Sequence, residues 1–168
     1  MTARLNAKRL TSLPPKYYEV IGEVMFHWAL HDAQMLDILG FLLKMEPKKK
    51  RMLLGKLDES AKIKMVKFLA GRDMRPKNPL RKATEQFCKD SQELADRRNQ
   101  FAHTPWVTVP GHTIPGLLDM GTIGKRYDPT VEIMTDEKIK DTIETFRIST
   151  ALGELILAAM TGKQEIMK

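Results

Sequence analysis

Arg98, Asn99 and His103 are the residues of this chain whose types and spacing could do chemistry together; they lie in Asp96-Arg97-Arg98-Asn99-Gln100-Phe101-Ala102-His103. A histidine that titrates near neutrality can take up a proton and return it, and a fixed guanidinium can hold a phosphate or the charge that grows on it in a transition state. Cleavage of RNA by attack of its own 2′-hydroxyl asks for those two jobs, with no metal and no organic cofactor. On a helix, Asn99 and His103 are four apart and share a face, while Arg98, five before the histidine, lies at an angle to it. The structural alternative is a histidine capping a helix C-terminus beside an arginine paired with Asp96 or another carboxylate.

The Arg98-Asn99-x-x-x-His103 pattern resembles the signature of the HEPN superfamily. These are all-α domains marked by an Arg followed four to six residues later by His, often with a polar residue beside the Arg. The context is similar too: a long first helix, the motif at the C-terminal end of a later helix, and one more helix after it. Ala102 before the histidine and Trp106 just after it add to the likeness. The resemblance implies a ribonuclease that leaves a cyclic phosphate, with Arg98 and His103 as the principal catalytic groups and Asn99 in support. It also implies a homodimer that brings two copies of the motif across one cleft. Asp32, at mid-helix on the apolar stripe between Trp28 and Met35, resembles the acidic residue that often faces the Arg-His pair. A carboxylate there is costly to bury without a partner, and Arg97 or Arg98 is the expected one. An enzyme of this kind would serve as a toxin or defence effector, and its protein partner would be an antitoxin. Some superfamily members bind without cutting, so a non-catalytic module for RNA, a nucleotide or a protein is the second reading.

The charge distribution agrees with an anionic partner. The chain of 168 residues carries a net +7, but Lys44–Lys82 alone is +10 and the remainder is −3. Lys48, Lys49, Lys50 and Arg51, followed by Arg72 and Arg75, with Arg97 near the motif, are the expected phosphate-backbone contacts. The plain alternative is a solvated helix face and loop.

Other constellations are weaker. Glu23, His27 and His31 follow at spacings of four, a geometry that could place three metal ligands along one helix side, but ordinary packing or surface roles are the expectation. Trp106 and Tyr127 could stack on bases, although a Trp just past a helix end more often plugs a core. His112 has no evident partner. Cys88 lies beside a core position without a local base and is expected to be inert; as the single cysteine it rules out an internal disulfide and a Cys-based zinc cluster. No glycine-rich strand-to-helix loop is present, which sets aside kinases, P-loop nucleotidases and dinucleotide-binding folds; Gly121-x-x-Gly124 is too short a signal.

The elements that must position these residues read as all-α: an up-down bundle of four to five helices in one domain spanning 1–168, with a β-rich insertion at 106–135. A long helix runs from Pro15 to about Met45, with Ile21, Met25, Trp28, Met35, Leu39 and Leu42 at helical spacing, and is broken by Pro47. Two short helices follow, Arg51–Leu57 and Ser60–Ala70, the second closed by Gly71, and Arg72–Pro79 reads as a loop. The motif helix runs from Leu80 to His103, with Phe87, Leu94 and Phe101 every seven residues, and stops at Pro105. Val107–Val109 alternates before a Pro110-Gly111 turn and Thr130–Met134 alternates again, which reads as a small hairpin or an irregular loop. A last helix runs from Asp136 to about Gly162 on a stripe of Ile139, Ile143, Phe146, Leu152, Leu155 and Ile156. The composition is that of a soluble globular chain; it shows no secretory signal and no apolar run long enough to span a bilayer, so a cytoplasmic location without membrane contact is expected.

Overall fold

The computed structural model describes residues 7–119 and 130–162. It is a mostly α-helical bundle with a small antiparallel sheet. Among the described residues the order is β1 (Lys8–Arg9), α1 (Pro15–Leu42), α2 (Pro47–Leu54), α3 (Glu59–Asp73), α4 (Pro79–His103), β2 (Trp106–Thr108), β3 (Gly116–Asp119), β4 (Thr130–Ile133) and α5 (Asp136–Thr161). The chain forms two compact units, Met1–Met25 with Arg97–Glu144, and Phe26–Asp96 with Thr145–Lys168.

The first unit holds the sheet and the motif. Its four strands run in the order β1-β2-β3-β4, all antiparallel. The expected hairpin is therefore a meander of three strands, and the N-terminal strand β1 extends it by pairing Lys8 with Thr108 and Arg9 with Val107. Two residues are too short to show period-two alternation, so no sequence pattern could announce β1. Gly111 turns the chain after β2 with φ of +83°, a left-handed conformation that glycine adopts without a Cβ clash. Trp106 is buried, edge-on to Tyr17 at 5.3 Å and to Phe101 at 6.0 Å between ring centroids. It is a packing plug that anchors the end of α4, and such edge-to-face pairs each add about 0.5–1.5 kcal/mol beyond their area.

The second unit holds the larger apolar core. Met35, Ile38, Leu39 and Leu42 of α1 pack with Leu54, with Ile63, Val66 and Leu69 of α3, with Phe87 and Cys88 of α4, and with Ile156 and Met160 of α5. Asp58 starts α3 by accepting from the Ala61 N–H at 2.7 Å, and Asn78 starts α4 by accepting from the Leu80 N–H at 2.9 Å.

Several boundaries move. α1 ends at Leu42 rather than Met45, before Pro47 can act. Lys44 takes the left-handed conformation with φ of +52°, while Met45 N–H reaches the Gly40 carbonyl and Lys44 N–H reaches that of Phe41, both at 2.9 Å. This is a Schellman closure, with lysine where glycine is usual. Pro47 instead opens α2, so Lys48–Arg51 are helical throughout. Gly71 lies inside α3 and Arg72 and Asp73 complete it. On α5, Leu155 faces outward, 47% exposed, and Ile156 beside it is buried.

Candidate active site

α4 builds the motif at its C-terminal end. Phe101 turns inward against Trp106, and the same register turns Asn99 and His103 to solvent, with Arg98 and Arg97 half-buried at the margin. Arg98 Nη1 donates to Oδ1 of Asn99 at 2.8 Å. His103, five residues on, is the last helical residue, about 7.5 Å further along the axis from the helical rise alone. The structure thus joins Arg98 to Asn99 directly and leaves His103 exposed. Arg97 is not Asp32's partner as expected: its Nη1 donates to Glu132 Oε2 on β4 at 2.9 Å, and Glu132 also takes Lys138 at 3.3 Å. Glu132 was not legible as a partner, because 35 residues separate it from Arg97.

Asp32 belongs to the second unit, and Lys62 of α3 is bonded to its carboxylate. Lys62 is 6% exposed and also faces Glu59 Oε2 at 3.7 Å, one turn back on α3. Burial pushes the Glu59 carboxyl up to about 7, helped by its hydrogen bond and charge repulsion with Asp32. Burial also pushes Asp32 upward, but hydrogen bonds from Lys62 and from protonated Glu59, with the Lys62 charge, outweigh it and hold Asp32 below the usual carboxylate range. Two carboxyls thus sit beside one ammonium, with the Glu59 value raised and the Asp32 value lowered. A signal for Lys62 did exist: Lys62, Val66 and Leu69 are spaced as one apolar helix face.

His31 is sealed in the same unit at 0% exposure, stacked on Phe87 at 4.3 Å. Ser91 Oγ spends its proton on the Phe87 carbonyl at 2.7 Å, so His31 Nε2–H donates to Ser91 at 2.7 Å. His31 Nδ1 is then the acceptor, and Ser149 Oγ donates to it at 3.3 Å. Burial lowers the imidazole to about 4, keeping it neutral. With both ring nitrogens on serine hydroxyls, His31 is an interior polar residue rather than a metal ligand, and no group of three or more His, Cys, Asp or Glu that could hold a metal occurs among the described residues. Cys88 is fully buried and its thiol is pushed up to about 12 by burial, which makes it unreactive.

The expected phosphate contacts divide. Lys48, Arg51 and Arg75 are exposed. Lys50 is bonded to Asp37, Arg72 forks onto Asp73 at 2.5 and 2.8 Å, and Lys49 lies 3.4 Å from Glu46. Tyr127, Gly121 and Gly124 lie outside the described residues, and His112 is exposed in the turn after β2. Among the described residues no helix is long and apolar enough to cross a membrane. Searches against family models, curated proteins and solved structures found no match to this chain.

Proposed function

We propose that this chain is a metal-independent endoribonuclease, acting in the cytoplasm as a homodimer and serving as a toxin or defence effector with an antitoxin as its partner. The observation that supports it best is the linked Arg98–Asn99 pair on the helix end that also presents the exposed His103. In this reading His103 takes the proton from a ribose 2′-hydroxyl. The oxygen attacks the adjacent phosphorus, the bond to the 5′-oxygen breaks, that oxygen takes the proton back from the His103 imidazolium, and a 2′,3′-cyclic phosphate remains. Arg98, steadied by Asn99, carries the charge on the phosphoryl oxygens. Lys48, Arg51 and Arg75 contribute phosphate attraction; Lys50, Arg72 and Arg97 contribute less, since a carboxylate already neutralises each. Asp32 acts structurally through Lys62.

The deciding experiment incubates purified protein with a labelled RNA in EDTA and resolves the product ends. Cyclic-phosphate ends from the wild type, and none from Arg98→Ala or His103→Ala of unchanged helicity, are expected. Cleavage that survives both substitutions, or that requires a divalent metal, refutes the assignment. The exposed Lys48, Arg51 and Arg75 serve equally a second reading, an RNA-binding module without turnover, whose mark would be salt-sensitive binding of uncut RNA.

A further inference from the structure

The C-terminal half of α5 turns a patterned face outward. Ile148 is 61% exposed and Leu155 is 47% exposed, seven residues apart, with exposed Ala151 between them. A charged residue precedes each, Arg147 before Ile148 and Glu154 before Leu155, both on the exposed side. Alongside runs a groove of about 1130 Å³, walled by Gly40, Phe41 and Met45 on one side and by Ala151, Leu155 and Ala158 on the other. Phe41 is itself 44% exposed. Asp37, Lys50 and Glu154 also line the groove, so exposed apolar side chains lie beside charged ones, the composition of a contact surface.

The pattern names the occupant. Written as heptads, Ile148 and Leu155 are a positions, Ala151 and Ala158 are d positions, and Arg147 and Glu154 are g positions. Lay a second α5 antiparallel on the first with the two-fold axis at Ala151. Ile148 then packs beside the partner's Leu155, and Arg147 meets the partner's Glu154; symmetry makes each contact twice. The alanines at the centre let the two backbones approach, and the groove beside them receives the larger side chains. One rotation satisfies the apolar and the charged positions together, a coincidence that an unrelated partner would not require. We propose that this face of α5, with its groove, is where two copies of the chain pair antiparallel about Ala151. The proposal deepens the homodimer of the ribonuclease reading, but the α5 pattern carries it whether or not the protein cuts RNA.

Sedimentation velocity over a concentration series tests it. The wild type is expected to sediment as a dimer and Leu155→Glu as a monomer of unchanged helicity. Arg147→Glu should weaken the dimer about tenfold, and adding Glu154→Arg should restore it, because the swapped charges meet again. Ala151→Cys should be joined to its partner by a short bis-maleimide, whereas native Cys88, fully buried, is not. A monomeric wild type, a dimer indifferent to Leu155→Glu, or charge reversal without rescue overturns the proposal. RNA cleavage is judged separately by Arg98→Ala and His103→Ala. A monomer that cuts would sink the pairing and the homodimer but leave the ribonuclease, and an inactive dimer would sink the ribonuclease alone.

Discussion

Arg98 Nη1 donates to Asn99 Oδ1 at 2.8 Å, so the asparagine positions the guanidinium from the adjacent residue on the same helix end. The link makes a graded set of effects. On the proposed ribonuclease reading, Asn99→Ala is expected to slow single-turnover RNA cleavage about tenfold by loosening the arginine. Arg98→Lys, which keeps the charge and loses the planar fork, should slow it about a hundredfold. An Asn99→Ala enzyme as inactive as Arg98→Ala would mean that Asn99 touches the substrate itself.

His31 should make the fold acid-sensitive. Its folded value near 4 lies below the ordinary 6.5, so the unfolded chain binds the proton first as pH falls. Stability is whole above pH 6.5 and is lost as pH falls through 4, by at most about 3 kcal/mol. Urea titrations of Glu59→Gln from pH 7 to pH 4 measure it free of the opposing Glu59 contribution, and proton NMR of the His31 ring should show neutral imidazole down to about pH 4.

Glu59 acts in the opposite sense. Its folded value near 7 lies above the ordinary 4.5, so the stability tied to its proton is full below pH 4.5 and is lost as pH rises through 7. Glu59→Gln removes that loss. The variant should gain on the wild type between pH 5 and pH 8, by at most about 3 kcal/mol, in paired urea melts. A constant difference across that range would show that the folded chain does not raise Glu59.

Lys44 holds a left-handed conformation that costs a lysine about 1 kcal/mol relative to glycine. Lys44→Gly is expected to stabilise the protein by about 0.5–1 kcal/mol in a thermal or urea melt, with helix content unchanged.

Gly153 is the reverse case. A Cβ there would lie 2.3 Å from Gln34 Oε1 and 2.8 Å from Phe87 Cε2. Gln34 is fixed by donating to the Thr150 carbonyl at 3.0 Å, so it cannot easily yield. Gly153→Ala should cost about 1–3 kcal/mol by the same measurement.

Much of this was legible along the chain, for identifiable reasons. Phe87, Leu94 and Phe101 at seven-residue spacing announced the buried face of α4, and all three are at or below 2% exposure. Pro105 announced its end, which placed His103 in the last turn. Acidic Asp136 and Glu137 announced the start of α5. Each is a local cause, since periodicity, a missing N–H and a charge at a helix end act within a few residues.

The partners were not legible. Asp32 on an apolar stripe demanded a cation, and the sequence offered Arg97 or Arg98; the structure supplies Lys62, while Arg97 goes to Glu132. His31 was expected in an ordinary packing or surface role, but its holders Ser91 and Ser149 lie 60 and 118 residues away, where spacing could not announce them. The residues by themselves determined a helical bundle with a small β insertion, the start of α1, the end of α4 and the start of α5, and that Arg98, Asn99 and His103 share one helix end. Which charge answers which, and whether a polar side chain is sealed or open, depends on chain segments brought together by burial. A pattern of local spacing carries no information about those meetings, so only the tertiary structure could decide them.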